Sequence, residues 1–311
     1  MELKKILIYR NCSLGDFIVS LPAIKMIKDL NPNSKIYYAT GIKDDTGFIT
    51  PNLIPLQKGI IDKYIFFKFK PISLIKFLYK IRLIKFDELY YLNEFVSDKK
   101  NKRDFIIFNL LKIKKKYGFK IEKYNYKLFN ETYYLCRRIN NKVKKINISF
   151  SNLIQISNKR QKKIITISTG GRHHKKKWDV KYWEILIRLV LKNFPSFSII
   201  ILGSKNEIIT AKIIQKINKN KITNMCGKTS VKELFNIIET STYHISHDDG
   251  TMHVASCFKK KGVAIFGKIS EEGRWYPTNI NQKIFFPKNN VNDIKPTTVF
   301  RSISSQLRNL K

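Results

Sequence analysis

Residues 244–256, HISHDDGTMHVAS, determine how the second half of this 311-residue chain is interpreted. The pattern predicts a strand that ends at residue 246, an acidic turn with Gly250, and a helix from about residue 251. Backbone N–H groups at such a turn and helix start can bind a phosphate. A metal site is the weaker interpretation, because no known ligand spacing is matched and the odd offset between His244 and His247 sends their rings to opposite faces of a strand. The segment therefore favours an anion or sugar site.

Short strands and helices alternate on both sides of this segment. The chain opens with a β-α-β pattern, and a second series starts at KIITIS, residues 163–168. This alternation predicts parallel, doubly wound sheets whose ligands bind at the carboxyl ends of the strands. We therefore predict an α/β protein with two Rossmann-like doubly wound domains, residues 1–158 and 159–311, facing a central cleft. The predicted strands are 5–9, 35–39, 63–67, 88–92, 163–168, 198–202, 222–226, 243–246 and 263–266. The predicted helices are 16–30, helical segments between and after the strands at 63–67 and 88–92, then 179–193, 206–218, 231–240, 251–258 and one at the C-terminus; residues 112–160 give no firm prediction.

The composition is strongly basic, with 60 Lys+Arg against 23 Asp+Glu and a formal net charge of +37. Such a charge indicates an anionic partner, which could be nucleic acid, a phosphoglycolipid or an anionic membrane surface. Compositional drift is an equal alternative, because the lysines are scattered through every predicted element and accompany an excess of isoleucine and asparagine. Charge alone leaves both explanations open.

The cysteines and the N-terminus bear on the cellular compartment. Cys12, Cys136, Cys226 and Cys257 lie far apart without a C-x-x-C pair, which argues against zinc and disulfides and favours a reducing compartment. The chain shows no signal-peptide pattern and no uncharged apolar run of about 18 residues. We expect a cytoplasmic protein, or one peripheral on the cytoplasmic face of the inner membrane.

Two further segments at strand-to-helix turns carry polar residues. In RNCSLGDFIVSLPAI, residues 10–24, Gly15 permits a tight turn and Asp16 can cap the N–H groups of the helix start, although no dinucleotide fingerprint is present. STGGRHHKKKWDVKYW, residues 168–183, leaves a strand through two glycines with a dense basic run. This run is either a solvated loop or a site where a lysine meets phosphate.

A third segment, CGKTSVKEL at residues 226–234, contains the GKT of a phosphate-binding loop. Position 222 is Ile where that motif requires Gly, so the phosphate-loop interpretation fails. Ser230 and Glu233 instead have the spacing of a capping box at a helix start.

These segments, in this order, resemble glycosyltransferase family 9, whose best-known members are ADP-heptose:lipopolysaccharide heptosyltransferases. The matching pieces are ILIYRNCSLGDFIVSLPAI, STGGRHHKKKWDVKYWEIL, GKTSVKEL and HDDGTMHVASCFKKKGVAIFGKISEEGRWYP, and the match runs from residue 4 to about 277 with a weaker middle. The resemblance implies a GT-B fold. Its N-terminal domain would bind the acceptor and its C-terminal domain, with a terminal helix, the nucleotide-sugar.

The resemblance also implies site residues. Asp16 would be the catalytic base, and Lys176, two residues before Trp178, would contact the donor phosphate as the second catalytic residue. Family members commonly carry Thr, Ser or Gly where Asp249 stands, so this extra negative charge bears on donor choice or activity. The implied acceptor-loop residues are Ser13, Leu14 and Gly15; the implied donor-binding residues are Ser168, Thr169, Gly170, Lys177, Gly203, Gly227, Asp248, Asp249, Gly250, Thr251, Met252, His253 and Gly267; no metal ligand is implied.

The implied function is inverting, metal-independent transfer of a sugar, heptose from ADP-heptose, onto a lipopolysaccharide or lipooligosaccharide core or a related bacterial glycan. The expected partners are the nucleotide-sugar and an anionic glycolipid or glycan acceptor; no cofactor and no nucleic acid are expected. Three alternatives stay open: a transferase of the same fold that uses a hexose or N-acetylhexosamine donor, a basic nucleic-acid-binding protein, and a catalytically weak sugar-binding relative, against which the presence of Asp16 and Lys176 argues.

Residues 67–86, FKFKPISLIKFLYKIRLIKF, mix aromatic, aliphatic and basic side chains. This composition suits contact with an anionic membrane or a lipid-linked sugar. It also suits an ordinary core helix with snorkelling lysines.

Overall fold

The computed structural model describes residues 3–42, 59–94, 98–119, 124–143, 161–171 and 173–308. The chain divides into two compact units: unit 1 comprises Met1–Asn125 and Glu131–Gln155, and unit 2 comprises Tyr126–Asn130 and Ile156–Lys311. The predicted boundary at residues 158 and 159 lies outside the described residues.

Unit 1 is a five-stranded, all-parallel sheet with the strand order β3-β2-β1-β4-β5. Its strands are β1 (Lys5–Tyr9), β2 (Lys35–Ile42), β3 (Lys63–Lys68), β4 (Glu88–Tyr91) and β5 (Lys115–Tyr117), and its helices are α1 (Leu14–Leu30), α2 (Pro71–Ile84), α3 (Asp98–Leu110) and α4 (Glu131–Arg137).

Helices cover both faces of this sheet because alternate strand residues point to opposite sides. The ring of Tyr9 lies 6.1 Å from that of Phe77 in α2 and 5.0 Å from that of Phe108 in α3, so these two helices share one face. On the other face, Phe17 of α1 packs edge-on against Tyr38 at 5.5 Å.

Unit 2 is a six-stranded parallel sheet with the order β11-β10-β9-β6-β7-β8. Counted from its own first strand this is the order 3-2-1-4-5-6 of a Rossmann domain. Its strands are β6 (Ile164–Ser168), β7 (Ser198–Leu202), β8 (Ile222–Asn224), β9 (Tyr243–His247), β10 (Lys261–Ile265) and β11 (Gln282–Phe285), and its helices are α5 (Val180–Asn193), α6 (Ile208–Gln215), α7 (Val231–Thr240), α8 (Gly250–Cys257) and α9 (Pro296–Arg308).

The prediction of two doubly wound α/β domains is confirmed, and several elements match closely. β7 and α7 have the predicted bounds, and α7 begins with the predicted capping box, in which Ser230 N and Oγ donate to Glu233 Oε2 at 2.7 and 2.8 Å. The short elements β5, α4 and β11 had no specific prediction. β5 and α4 lie in the segment rich in Lys, Asn and Tyr, where hydrophobic periodicity is weak.

The segment Tyr126–Asn130 belongs to unit 2, whereas a continuous first domain had been expected. Gly273 makes this packing possible, because a Cβ there would lie less than 2 Å from the carbonyl oxygen of Tyr126. Asn130 Nδ2 donates to Tyr276 O at 3.3 Å, and the guanidinium of Arg274 lies 5.2 Å from the ring of Tyr126. These contacts join residues almost 150 positions apart, which local pattern does not reveal.

Each sheet has one switch point, where neighbouring strands continue into connections that run in opposite directions. It lies between β1 and β4 in unit 1 and between β6 and β9 in unit 2. In open parallel sheets, ligands bind outside the carboxyl ends of the strands at this point. The polar segments that start at residues 10, 168 and 247 follow β1, β6 and β9, so all three lie at switch points.

No helix within the described ranges is long and apolar enough to cross a membrane.

Close packing of β10 against β9 makes Gly262 sensitive to substitution. Gly262 pairs with His244, and a Cβ at 262 would lie 2.3 Å from the His244 carbonyl oxygen. We expect Gly262→Ala to lower the free energy of unfolding by about 2 kcal/mol or more in urea denaturation. Gly171→Ala is the control, since its Cβ would meet nothing closer than 3.6 Å. Equal stability of the two variants would contradict this packing.

Candidate active site

The loop after β6 is held to the end of β9 by His247, which is buried. His247 Nε2 accepts the backbone N–H of Trp178 at 3.0 Å, and Nδ1 lies 3.2 and 3.0 Å from the carbonyl oxygens of Thr169 and Gly170. Because Nε2 accepts, the ring proton resides on Nδ1. Burial lowers the pKa of His247 to about 4, so the ring is neutral at pH 7. His247 is therefore a structural bridge.

Metal ligation has no support within the described ranges, which hold no group of three or more His, Cys, Asp or Glu side chains placed for it. The ring nitrogens of His244 and His247 all lie within hydrogen-bond distance of other protein groups.

The bridge places Lys176 beside Asp248. Lys176 Nζ lies 2.6 Å from Asp248 Oδ2, and Ser270 Oγ donates to the same oxygen at 2.6 Å. The Asp248 side chain is 6% exposed and that of Lys176 is 21% exposed, so the carboxylate is nearly buried and the lysine side chain is partly exposed. Within the described residues Asp248 Oδ1 accepts no hydrogen bond. Two residues implied by the family resemblance are thus paired, and Ser270 joins them.

Gly267, after β10, fixes the backbone that carries Lys176. A Cβ at this position would lie 2.5 Å from the Lys175 carbonyl oxygen and 2.7 Å from Lys176 Cα. The absence of a side chain at Gly267 therefore allows the lysine loop to lie directly on the end of β10.

Asp249, the other member of the acidic pair, caps α8. Its Oδ1 accepts from Thr251 N at 2.8 Å, Thr251 Oγ1 at 2.7 Å and Met252 N at 3.3 Å, and Oδ2 accepts from Ser168 Oγ. The expectation that these helix-start N–H groups are open to a phosphate is wrong for Thr251 and Met252, because the carboxylate already occupies them. Burial raises the pKa of Asp249 to about 6, although its hydrogen bonds lower it.

His244 continues this network into the sheet. Thr166 Oγ1 lies 2.9 Å from His244 Nδ1, and His244 Nε2 lies 3.1 Å from Thr251 Oγ1, which donates to Asp249. Burial lowers the pKa of His244 to about 3. With a neutral ring, Nε2 donates to the threonine and Nδ1 accepts, so every member of the chain has a partner. The offset between the two histidines sends them to opposite sides of β9, as predicted.

The other implied donor residues of unit 2 fall into two groups. Lys177 pairs with the buried Glu207 at 3.2 Å, and Gly203 O accepts from Gly227 N at 2.9 Å on the β7 side. The side chain of Met252 lies in an apolar cluster with Ala264 and Phe266, and that of His253 is buried in α8, so neither faces outward. The Met252 side chain is therefore a core side chain, and its part in donor binding stays a prediction.

In unit 1, Asp16 occupies the third position of α1. Its Oδ2 accepts from Ser13 N at 3.0 Å and from Ser13 Oγ at 2.7 Å, while Leu14 and Gly15 between them are buried. This reciprocal cap fixes the orientation of the carboxylate at the carboxyl end of β1.

Arg10, which no sequence argument singled out, lies beneath this turn. It is 1% exposed, its Nη1 donates to Leu92 O, and its Nε has no partner within the described residues. Burial raises the pKa of Cys12 to about 12, and Arg10 lowers it while Asp16 raises it. The only sequence signal for Arg10 is a single arginine at a strand end, whereas Ser270 lies within a quoted family segment without distinctive spacing.

The model of the family described as glycosyltransferase family 9 (heptosyltransferase) matches residues 99–302. The chain belongs to glycosyltransferase family 9. It is therefore a glycosyltransferase, and the family prediction is confirmed.

Similarity to known proteins extends along nearly the whole chain. The lipooligosaccharide heptosyltransferase 2 of Campylobacter jejuni is 27% identical over 289 residues, covering 88% of this chain and 85% of the relative. A family 9 glycosyltransferase from Veillonella parvula superposes with a TM-score of 0.77 at 15% identity, covering 99% of each chain. The E. coli ADP-heptose lipopolysaccharide heptosyltransferase II superposes with a TM-score of 0.76 at 15% identity, covering 98% of this chain and 99% of the other. The fold is GT-B.

The buried histidines predict a pH-dependent stability. Since the folded pKa of His247, about 4, lies below the ordinary 6.5, the unfolded chain binds the proton first as pH falls. As pH falls from 6.5 to 4, each such histidine lowers the free energy of unfolding by about 1.4 kcal/mol per pH unit. We expect His247→Gln to be less stable than the native chain at pH 7 but to lose about 2 kcal/mol less on going to pH 5. Urea unfolding at several pH values measures this, and the contribution of Asp249 cancels between the two proteins. An unchanged pH slope would contradict the neutral bridge.

Proposed function

We propose that this glycosyltransferase transfers heptose from ADP-heptose to the sugar core of a lipopolysaccharide or lipooligosaccharide, with inversion at the transferred carbon. The observation that carries the proposal is the ion pair of Lys176 and Asp248 at the switch point of unit 2. Family membership and the names of the relatives support heptose and ADP as the donor's parts.

On the donor side, Lys176 would stabilise the departing diphosphate. Its ammonium has three donors, so it can hold Asp248 and a phosphate oxygen together. Lys175 precedes it in the same turn, which places a second cation near the developing charge. Charges held in position before the reaction stabilise the leaving group without reorganisation. Asp248 Oδ1 would accept a hydroxyl of the donor.

On the acceptor side, Asp16 would act as the general base. It would take the proton of the acceptor hydroxyl as the acceptor oxygen bonds to the sugar carbon and the bond from that carbon to the diphosphate breaks. Ser13 holds one carboxylate oxygen, which restricts rotation of the base. The acceptor oxygen would attack the sugar carbon from the face opposite the departing diphosphate, and a single displacement of this kind inverts the configuration at that carbon.

We further propose that transfer needs no divalent ion, since Lys176 and its neighbours supply the positive charge at the phosphates. The proposed reaction uses no cofactor, and the nucleotide-sugar is the donor substrate.

Asp249 is compatible with an ADP-heptose donor. Thr, Ser and Gly, which family members commonly carry here, are all residues that suit a helix N-cap, and Asp249 occupies the N-cap of α8. The structural requirement at this position is therefore the cap, and the additional effect of aspartate is electrostatic.

Two single substitutions test the roles of Lys176 and Asp16. We expect ADP and ADP-heptose to raise the Tm of the native chain, and Lys176→Ala to weaken their binding about tenfold or more. Asp16→Asn should retain donor binding while kcat falls about 10²- to 10⁴-fold. Thermal shift and transfer assays with a purified core acceptor, with and without EDTA, measure both, and NMR of the product gives its anomeric configuration.

Lys181→Ala is the matched control, because Lys181 is exposed at the start of the neighbouring helix α5. Undiminished nucleotide binding by Lys176→Ala, or full transfer by Asp16→Asn, would overturn the assignment. If a different nucleotide-sugar raised the Tm and ADP-heptose did not, that other compound would be assigned as the donor.

Asp249 predicts a pH-dependent donor affinity. With a pKa of about 6 its carboxylate is charged at pH 7.5 and repels the diphosphate, and it becomes neutral as pH falls. Asp249→Thr keeps a capping oxygen without the charge. We expect this variant to bind ADP-heptose several-fold more tightly than the native chain at pH 7.5, with the difference vanishing near pH 5. Calorimetric titration at the two pH values measures it, and a difference that persists at pH 5 would exclude the electrostatic cause.

A further inference from the structure

Helix α2 of unit 1 is apolar on two opposite faces. The inner face packs on the sheet, where Phe77 and Ile81 are 5% and 1% exposed. The outer face carries four large apolar side chains, Ile72, Ile75, Tyr79 and Leu83, which we call the outer stripe and which are 61–70% exposed. A core helix needs only the inner face, so the core of unit 1 leaves the outer stripe without a role.

The outer stripe is continuous along the helix. Its members follow one another at intervals of three, four and four residues, which places them within an arc of about 80° on a helix of 3.6 residues per turn. Scattered surface apolar residues need no explanation, whereas a contiguous row of four suggests contact with an apolar partner.

Positive charge borders the outer stripe on both sides. Residues 63–86 contain seven Lys or Arg and no Asp or Glu. Lys76 and Lys80 lie along one side of the outer stripe, Arg82 lies along the other, and Lys70 and Lys85 flank the helix at its two caps; all five are exposed. Basic side chains around an apolar helix face are typical of a helix that lies in the interface of an anionic bilayer.

The neighbouring helix extends the same surface. α3 lies on the same face of the sheet as α2, since the ring of Tyr9 contacts a phenylalanine from each. On its outer side Phe105, Ile106 and Leu110 are 40%, 59% and 70% exposed. Lys99 and Lys102 precede these residues on α3 and are exposed. The outer sides of α2 and α3 therefore both carry exposed apolar and basic side chains.

We infer that the outer stripe of α2 and its basic border dock unit 1 on an anionic phospholipid surface. A second copy of the chain would bring two basic borders together, which opposes self-association. A nucleic acid would satisfy the lysines but would leave isoleucine and leucine side chains without apolar contacts. Headgroup phosphates and acyl chains satisfy both kinds of side chain at once.

The docking surface itself is argued from α2 and α3 alone, whereas its use rests on the proposed function. A transferase acting on a lipid-linked acceptor gains from being held at the surface where that acceptor lies. Among the described helices, α6 also has exposed lysines beside exposed apolar residues, but there the apolar residues are two isoleucines, Ile209 and Ile213, instead of a row of four.

Flotation of the full-length protein with lipid vesicles tests the docking surface. We expect at least about tenfold stronger partitioning onto vesicles of phosphatidylglycerol and phosphatidylethanolamine than onto phosphatidylcholine. Ile72→Ser/Ile75→Ser and Lys76→Glu/Lys80→Glu should each weaken that binding about tenfold or more. Matched controls lie on α6 and its C-cap residue Lys216. Ile209→Ser/Ile213→Ser repeats the polar change at two exposed isoleucines, and Lys212→Glu/Lys216→Glu repeats the charge change. Both controls should bind within about twofold of the native chain.

Several outcomes would overturn the inference. Equal binding to both vesicle types, or equal losses in the α2 and α6 variants, would assign any attraction to net charge. A native dimer that the α2 apolar variant converts to monomer, with vesicle binding unchanged, would make the outer stripe a contact between copies.

The vesicles contain no acceptor, so the result is independent of catalysis. Transfer to a delipidated acceptor without vesicle binding would refute the docking surface and leave the proposed function standing. Vesicle binding without nucleotide binding would support the docking surface and refute the proposed function.

Discussion

The arrangement of unit 2's site depends on the neutral imidazole of His247. Parallel strands end at the same edge of a sheet, but the loops that follow them need cross-links to keep a fixed geometry. His247 accepts from Trp178 and bonds the carbonyl oxygens after β6, thereby joining the ends of β6 and β9. Lys176 and Asp248 are each within two residues of an end of this bridge. A protonated ring could not accept the Trp178 N–H, so the bridge requires a neutral imidazole. Burial lowers the pKa of His247 and thereby keeps the ring neutral.

The two adjacent aspartates divide their tasks because neighbouring residues project in different directions. Asp248 meets Lys176 and Ser270, while Asp249 turns to the start of α8 and binds its N–H groups. The Asp248 carboxylate is paired with the Lys176 ammonium. The Asp249 carboxylate caps α8 and also accepts from Ser168 at the end of β6. Both carboxylates therefore have partners, since the charge of Asp248 is paired with Lys176 and that of Asp249 is distributed over four hydrogen-bond donors.

The chain's high positive charge does not have one explanation. In the lysine-rich turn before Trp178, Lys176 and Lys177 have carboxylate partners, Asp248 and Glu207. α2 presents a different situation, because its basic residues border an exposed apolar row and have no acidic neighbour in the helix. Other lysines are spread over both units in keeping with the composition. Charge becomes informative only when it is read together with the apolar surface beside it.

Local pattern was enough for most elements and for the family. Buried parallel strands read as apolar runs, and caps such as Ser230 with Glu233 are encoded within four residues, so β7 and α7 were placed correctly. The motifs that carry Asp16, Lys176 and Asp248 were recognisable for the same reason. Tertiary structure decided the rest: that Asp249 closes the helix start, that Met252 faces the core, that Ser270 reaches Asp248, that Arg10 lies buried, and that Tyr126–Asn130 packs in unit 2. Each of these except the cap is a contact between residues distant in the chain. The cap depends on which way one side chain turns, and that is set by the surrounding Ser168, Thr251 and His244.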